Sequence, residues 1–222
     1  SVIAGQVAAF SVMGFAGDFA NASEGAPDAL YNTITHKIFW HTVFIVATVL
    51  IVARGLKGGI ERAVTILMPL FFLMLIALAL FALFRGDAGE TFAYLFSPRF
   101  GEITPNTVLA ALGQALFSVS VGSAIMITYG SYLHRDENLS GSAVIIASSD
   151  TVVAIVAGLM IFPIVFMVGI DPASGAGLIF DALPNVFADM AYGNVIGGSF
   201  FFLAFIAALT SSISLLQVIV AW

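Results

Sequence analysis

Between Ala63 and Phe84 the chain carries no charged side chain, and Phe71-Phe72-Leu73-Met74-Leu75-Ile76 within it is apolar on every face. A helix of about 20 residues crosses the hydrocarbon core of a bilayer, and this run has that length. An open strand in lipid would leave backbone groups unpaired at several kcal/mol each. A β-barrel strand would alternate polar with apolar residues, and this stretch does not. The expected structure is therefore an all-α integral membrane fold. Composition agrees: 60% of the 222 residues are hydrophobic and 9% charged, with mean hydropathy +1.08. A soluble domain has about 25% charged residues to face water.

Apolar segments are expected at 1–16, 38–53, 63–84, 109–133, 143–170 and 195–222, as one transmembrane unit spanning 1–222. The second is slightly short for a span, and the first looks truncated. Because the chain starts and stops inside apolar runs, it reads as a fragment of a longer protein. The short connectors hold Arg54, Lys57, Arg62 and Arg135, whereas Lys37, Arg85 and Arg99 are spread over longer, acid-rich ones. That bias places the short loops in the cytoplasm. A weak pattern at Phe180–Phe187 suggests a short re-entrant helix in the last outer loop.

Several function classes drop out. Seven scattered Lys and Arg against a net charge of −6 exclude a nucleic-acid surface. Without cysteine there is neither a disulfide framework nor a thiolate metal site. The glycine-rich Gly55–Arg62 lacks the Gly-Lys-Ser/Thr ending of a phosphate-binding loop. No nucleophile–base pair or metal-ligating His/Glu motif stands out, so the protein is not expected to be an enzyme. Trp40 and His41 suit a membrane interface.

Three places could carry chemistry. Ser118-Val119-Ser120-Val121-Gly122-Ser123-Ala124 gathers small and hydroxylated residues in mid-membrane. Gly and Ser weaken a helix, and an unwound stretch would free carbonyls for a cation and half-helix ends for a substrate carboxylate. The same residues also suit close helix packing. Asp150 is an acid within an apolar segment, where ionisation costs about 2.5–3.5 kcal/mol by insertion scales. It reads as a cation ligand or proton carrier, or as an interfacial group if the span starts near Ser149. Thr210-Ser211-Ser212 places Ala207, Thr210 and Ser211 on one helical face. Such oxygens suit a hard cation, yet Ser and Thr in membrane helices also bond their own backbone.

Four motifs in order carry a resemblance: GLKGGIER at Gly55–Arg62, GQALFSVSVG at Gly113–Gly122, ITYGSYL at Ile127–Leu133 and AALTSSI at Ala207–Ile213. They resemble the neurotransmitter:sodium symporter family, from late in its third helix into its eighth. The resemblance implies part of a LeuT-type inverted-repeat bundle, with a discontinuous helix at about 109–133 whose unwound centre is Ser118 to Ala124. It implies that Phe117 is an aromatic lid over substrate and that Ser118, Ser120, Ser123, Ser211 and Leu215 line the substrate pocket. A serine at Ser123, where many relatives are bulkier, leaves room for a larger, hydrophobic or aromatic substrate. For a first sodium ion it implies Ser118 and Asp150. For a second it implies Ala207 through its carbonyl, Thr210 and Ser211. Ser131, Tyr132 and Gln217 fall where relatives build an inner gate. Gly59 and Pro69 match a motif linked to unwinding of the fifth helix during inward release.

Asp150 departs from the commoner Asn, and Ala154 replaces the Ser of chloride-dependent relatives, while Gln114 and Ser118 remain. A fixed carboxylate would replace the anion, since bound ions dominate local electrostatics. The implied function is sodium-coupled symport of a neutral amino acid by alternating access, chloride not required. The implied partners are the amino acid, the lipid bilayer and the rest of the transporter chain, in a bacterial inner (plasma) membrane. Both sodium sites are expected to be incomplete, because the family's first two helices are not represented, and this stretch alone is not expected to transport. The rivals are a channel or pore subunit, which needs polar residues along a whole helical face, and a non-transporting scaffold or sensor of the same fold.

Overall fold

The computed structural model describes residues 2–21, 33–133, 136–172 and 178–222. Arg135 lies outside them. Among the described residues the regular structure is entirely helical. In chain order the elements are α1 (Val2–Ala16), α2 (Asp18–Asn21), α3 (Ile34–Val52), a π-helical turn (Leu56–Glu61) and α4 (Arg62–Arg85). Then come α5 (Ala88–Phe96), a 3-10 turn (Phe100–Glu102), α6 (Pro105–Ser118), α7 (Ile125–Gly130) and α8 (Leu139–Met167). A second π turn (Leu178–Ala182), α9 (Leu183–Asp189) and α10 (Gly193–Val220) complete the chain.

Among the described residues four helices are long and apolar enough to span a membrane: Ile34–Val52, Leu56–Arg85, Leu139–Met167 and Gly193–Val220. Each exposes large side chains such as Val46, Leu73, Ile145 and Ile219, an arrangement that lipid solvates without cost.

The centre of the bundle is α10, which packs on α1, α3, α4, α7 and α9. Lipid tails are as apolar as leucine, so association in a bilayer depends on close fit. The α1–α10 crossing shows the device. A Cβ on Gly14 would stand 2.5 Å from Gly198 Cα and N, so the two backbones meet directly. Ser11 Oγ donates to the Gly198 carbonyl at 3.3 Å. Beside this crossing Phe10 meets Phe201 at 5.0 Å between ring centroids, with Phe19 and Phe180 stacked around the pair. The helix Leu183–Asp189 closes over this cluster through buried Leu183, Val186 and Phe187. The whole re-entrant stretch expected at Phe180–Phe187 thus falls in the second π turn and α9.

A second layer joins α4 to α8. At the end of α4, Asp87 N donates to the Pro163 carbonyl at 2.9 Å, and the Asp87 side chain caps α5 through Glu90 N at 2.8 Å. By contrast, α6 buries none of its residues. It begins with a capping box in which Thr104 and Thr107 each bond the other's backbone N–H, followed by Pro105 at its first turn.

Candidate functional site: a broken helix facing an acidic residue

The helix expected at about 109–133 is discontinuous. It ends at Ser118, leaves helical geometry over Val119–Ala124, and resumes at Ile125. Three residues in the gap have positive φ: Ser120 at 57°, Gly122 at 95° and Ala124 at 59°. Gly122 adopts this without penalty, but a side chain in the left-handed region costs roughly 1–2 kcal/mol. The break is therefore held in place at some cost, through Ser120 N to the Phe117 carbonyl at 3.0 Å and Val121 N to the Leu116 carbonyl at 2.9 Å. Thr128 anchors the restart, bonding the Ala124 carbonyl through both its N–H and its hydroxyl.

Asp150 faces the break. The Ser118 hydroxyl donates to Asp150 Oδ1 at 2.6 Å, the short separation of a hydroxyl bonded to a carboxylate. Asp150 lies well inside α8, eleven residues after Leu139. Helix α8 begins ahead of Ala143 because Asn138 caps it, its side chain accepting from Gly141 N at 3.0 Å. The end of α6 and the body of α8 thus bring a hydroxyl and a carboxylate together across 32 residues of sequence.

On α10, Thr210 Oγ1 lies 3.0 Å from both the Ile206 and Ala207 carbonyls. Thr210 and Ala207 therefore present adjacent oxygens, in the backbone-bonded geometry that serine and threonine adopt in membrane helices. Ser211 is exposed, and so is Leu215 one turn further on. Phe117 is 80% exposed beside the break. Ser120 is half-buried and Ser123 exposed.

The three residues expected at an inner gate divide. Gln217 Nε2 donates to the Tyr132 hydroxyl at 2.9 Å, tying the end of the broken helix to α10. Gln217 is 8% exposed, so little water competes for that bond. Ser131 stays outside it, its hydroxyl donating to the Thr128 carbonyl at 2.7 Å. Gly59 sits in the π turn before α4, where a Cβ would collide with the Ile51 carbonyl oxygen.

One residue beside these groups escaped sequence reasoning. Thr48 is fully buried on α3; its hydroxyl lies 3.0 Å from the Phe44 carbonyl and 3.3 Å from Ser212 Oγ. It therefore anchors the stretch next to Thr210 and Ser211. The available signal was a lone hydroxyl in an apolar helix, too common in membrane spans to single out.

Comparison with known proteins places this arrangement. The model of the sodium:neurotransmitter symporter family matches residues 32–222. An uncharacterized sodium-dependent transporter of Bacillus subtilis, YhdH, is 38% identical over all of this chain and 50% of its own length. An uncharacterized sodium-dependent transporter of Haemophilus influenzae is 41% identical over 82% of this chain and 40% of its own. The crystal structure of MhsT in complex with L-phenylalanine superposes with a TM-score of 0.86 at 43% identity, covering 99% of this chain and 51% of that one. The chain thus spans about half the length, or less, of the curated relatives it matches. These relatives are transporters and not enzymes, and the fold is the LeuT-type helical bundle. With a matching family model over most of its length and relatives above 30% identity, the chain belongs to the sodium:neurotransmitter symporter family.

Proposed function

We propose that this chain forms the central part of a sodium-coupled symporter for a neutral amino acid, working by alternating access without a requirement for chloride. The observation that carries the reading is the Ser118–Asp150 pair at the helix break. A hard monovalent cation takes oxygen ligands, and a carboxylate, a hydroxyl and backbone released from helical bonding supply them in one place. Asp150 contributes the negative charge that neutralises the ion. In this reading Ser118 and Asp150 hold one sodium ion, and Ala207, Thr210 and Ser211 hold a second. Phe117, Ser118, Ser120, Ser123, Ser211 and Leu215 border the substrate. Tyr132 and Gln217 close the inner side, with Ser131 bracing the turn beneath them.

Coupling follows from shared parts. Because the first ion and the substrate both draw on Val119–Ala124, the order imposed by one ligand lowers the cost of binding the other. The effect is reciprocal by thermodynamic necessity. The phenylalanine bound to MhsT and the exposed serine at Ser123 favour a large hydrophobic or aromatic substrate. The setting is a bacterial plasma membrane.

The complete transporter reconstituted in vesicles tests this. Radiolabelled phenylalanine or leucine should accumulate only under an inward sodium gradient. Accumulation that ignores the gradient rejects the symport. Uptake that collapses when gluconate replaces chloride rejects the role given to Asp150's charge.

A further inference from the structure

At the end of the bundle where α3 hands over to α4, Ile51, Arg54, Gly58, Gly59, Arg62 and Ala63, with Ile66, enclose a cavity of about 200 Å³. It lies in none of the sites described above. Two of its walls are guanidinium side chains, and exposed Lys57 stands on the same turn. Among the described residues the only salt bridge is Arg99–Glu102, so neither arginine is neutralised by a carboxylate. Counting Glu61, the segment Arg54–Arg62 carries a net charge of +2 in a chain whose total is −6.

The backbone fixes this shape. Gly55, at φ 76°, lets the chain turn out of α3. Gly59 then sits so close to α3 that a Cβ would strike the Ile51 carbonyl oxygen. The π turn Leu56–Glu61 is thereby pressed on the end of α3, and Arg54 and Arg62 both line the cavity it leaves.

The far wall is apolar and continuous with the membrane-facing surface. Ile66, Leu70 and Leu73 follow at spacings of four and three, hence share a face of α4, and all are exposed. A charged cavity thus opens onto an apolar track leading into the hydrocarbon. An arginine fork matches a phosphate oxygen pair and carries little hydration to lose. The positive-inside bias puts this end in the leaflet rich in anionic lipid.

We infer that Arg54 and Arg62 bind the phosphodiester of one anionic phospholipid from the cytoplasmic leaflet, with an acyl chain lying along Ile66, Leu70 and Leu73. The two arginines clasp the headgroup phosphate, and Lys57 adds attraction from the rim. The lipid wedges the π turn between α3 and α4.

Native mass spectrometry of the complete transporter, titrated with phosphatidylglycerol or phosphatidylcholine, tests the site. Each basic residue at an anionic surface is worth about fivefold in affinity, so R54Q/R62Q should bind phosphatidylglycerol about 25-fold more weakly. Phosphatidylcholine should bind weakly to both proteins. R85Q, at the opposite end of α4, should leave phosphatidylglycerol binding unchanged, and R54K/R62K should fall between, since lysine keeps the charge and loses the fork. If the double glutamine variant does not fold, R54Q and R62Q singly should each lose about fivefold. Equal phosphatidylglycerol binding by wild type and the arginine variants overturns the assignment, as it would if the remainder of the transporter covered the cavity. Equal retention of the two lipids overturns it as well. Displacement of phosphatidylglycerol by inorganic phosphate would identify a free-anion site and refute the lipid.

Discussion

Replacing Asp150 by asparagine removes one charge and almost no volume, which makes it the sharpest test of the ion site. The Ser118 hydroxyl, 2.6 Å from Asp150 Oδ1, can donate equally to the asparagine oxygen. The contact between the helix break and α8 then survives, and the change isolates electrostatics. Two unit charges about 4 Å apart attract by about 1 kcal/mol in water and about 4 kcal/mol at an effective dielectric of 20. Asp150 is half-buried, so the loss should lie between these limits, about 1.5–3 kcal/mol. That corresponds to a rise of about 10- to 150-fold in the sodium concentration for half-saturation. S118A removes a neutral ligand and keeps the charge, and should cost about 1 kcal/mol, or about fivefold. The assay is sodium-dependent substrate binding to the complete transporter, in detergent and again in vesicles. Full uptake by D150N at an unchanged half-saturating sodium concentration would show that the carboxylate does not face the ion.

Further predictions concern the scaffold. Y132F should leave the buried Gln217 amide without its partner and weaken the closure by about 1 kcal/mol, seen as about fivefold faster labelling of a cysteine introduced at the inner end of α10. Y132F/Q217L should recover most of that loss, and additive effects would sever the two residues. A124V should lower the Tm of the purified transporter while A124G should not, because a β-branched residue resists φ 59°; equal Tm values would count against a fixed break. G14V should separate α1 from α10 and cost about 1–3 kcal/mol, with G14A between. A G14V protein of wild-type thermal stability would contradict the backbone contact at Gly198.

Much of this was legible before any coordinates, and the reason differs by residue. The break at Val119–Ala124 was readable because Gly122 and three serines are poor company for a helix in lipid. Asp150 was conspicuous because an acid in an apolar run must find a partner. The partner was not readable from periodicity: Ser118 lies 32 residues away on another helix, and Tyr132 lies 85 from Gln217. Those pairings came only through family resemblance, since tertiary contacts leave no local pattern. Helix ends failed for another reason. Apolarity marks the hydrocarbon-spanning portion, whereas α3 starts at Ile34 and α8 at Leu139, where capping and interfacial turns extend helices into polar sequence. Thr48 stayed hidden because a hydroxyl that bonds its own helix satisfies itself, whatever else it touches.

The two halves of the proposed site differ in how they are packed among the described residues. Thr210 sits on α10, which packs on α1, α3, α4, α7 and α9, while Ser118 ends α6, which buries nothing among the described residues. The chain spans about half the length of its relatives, and within it the end of α6 is held at the site through the Ser118–Asp150 hydrogen bond. The Tyr132–Gln217 bond fastens the far end of the broken helix to α10. Under the proposed alternating access, rupture of this bond and of the carboxylate contact at Ser118 removes two side-chain hydrogen bonds that tie the broken helix to α10 and α8, leaving the packing of α7 on α10 to oppose its motion. If Asp150 holds the ion as proposed, occupancy biases that motion directly, because the same carboxylate accepts the Ser118 hydroxyl.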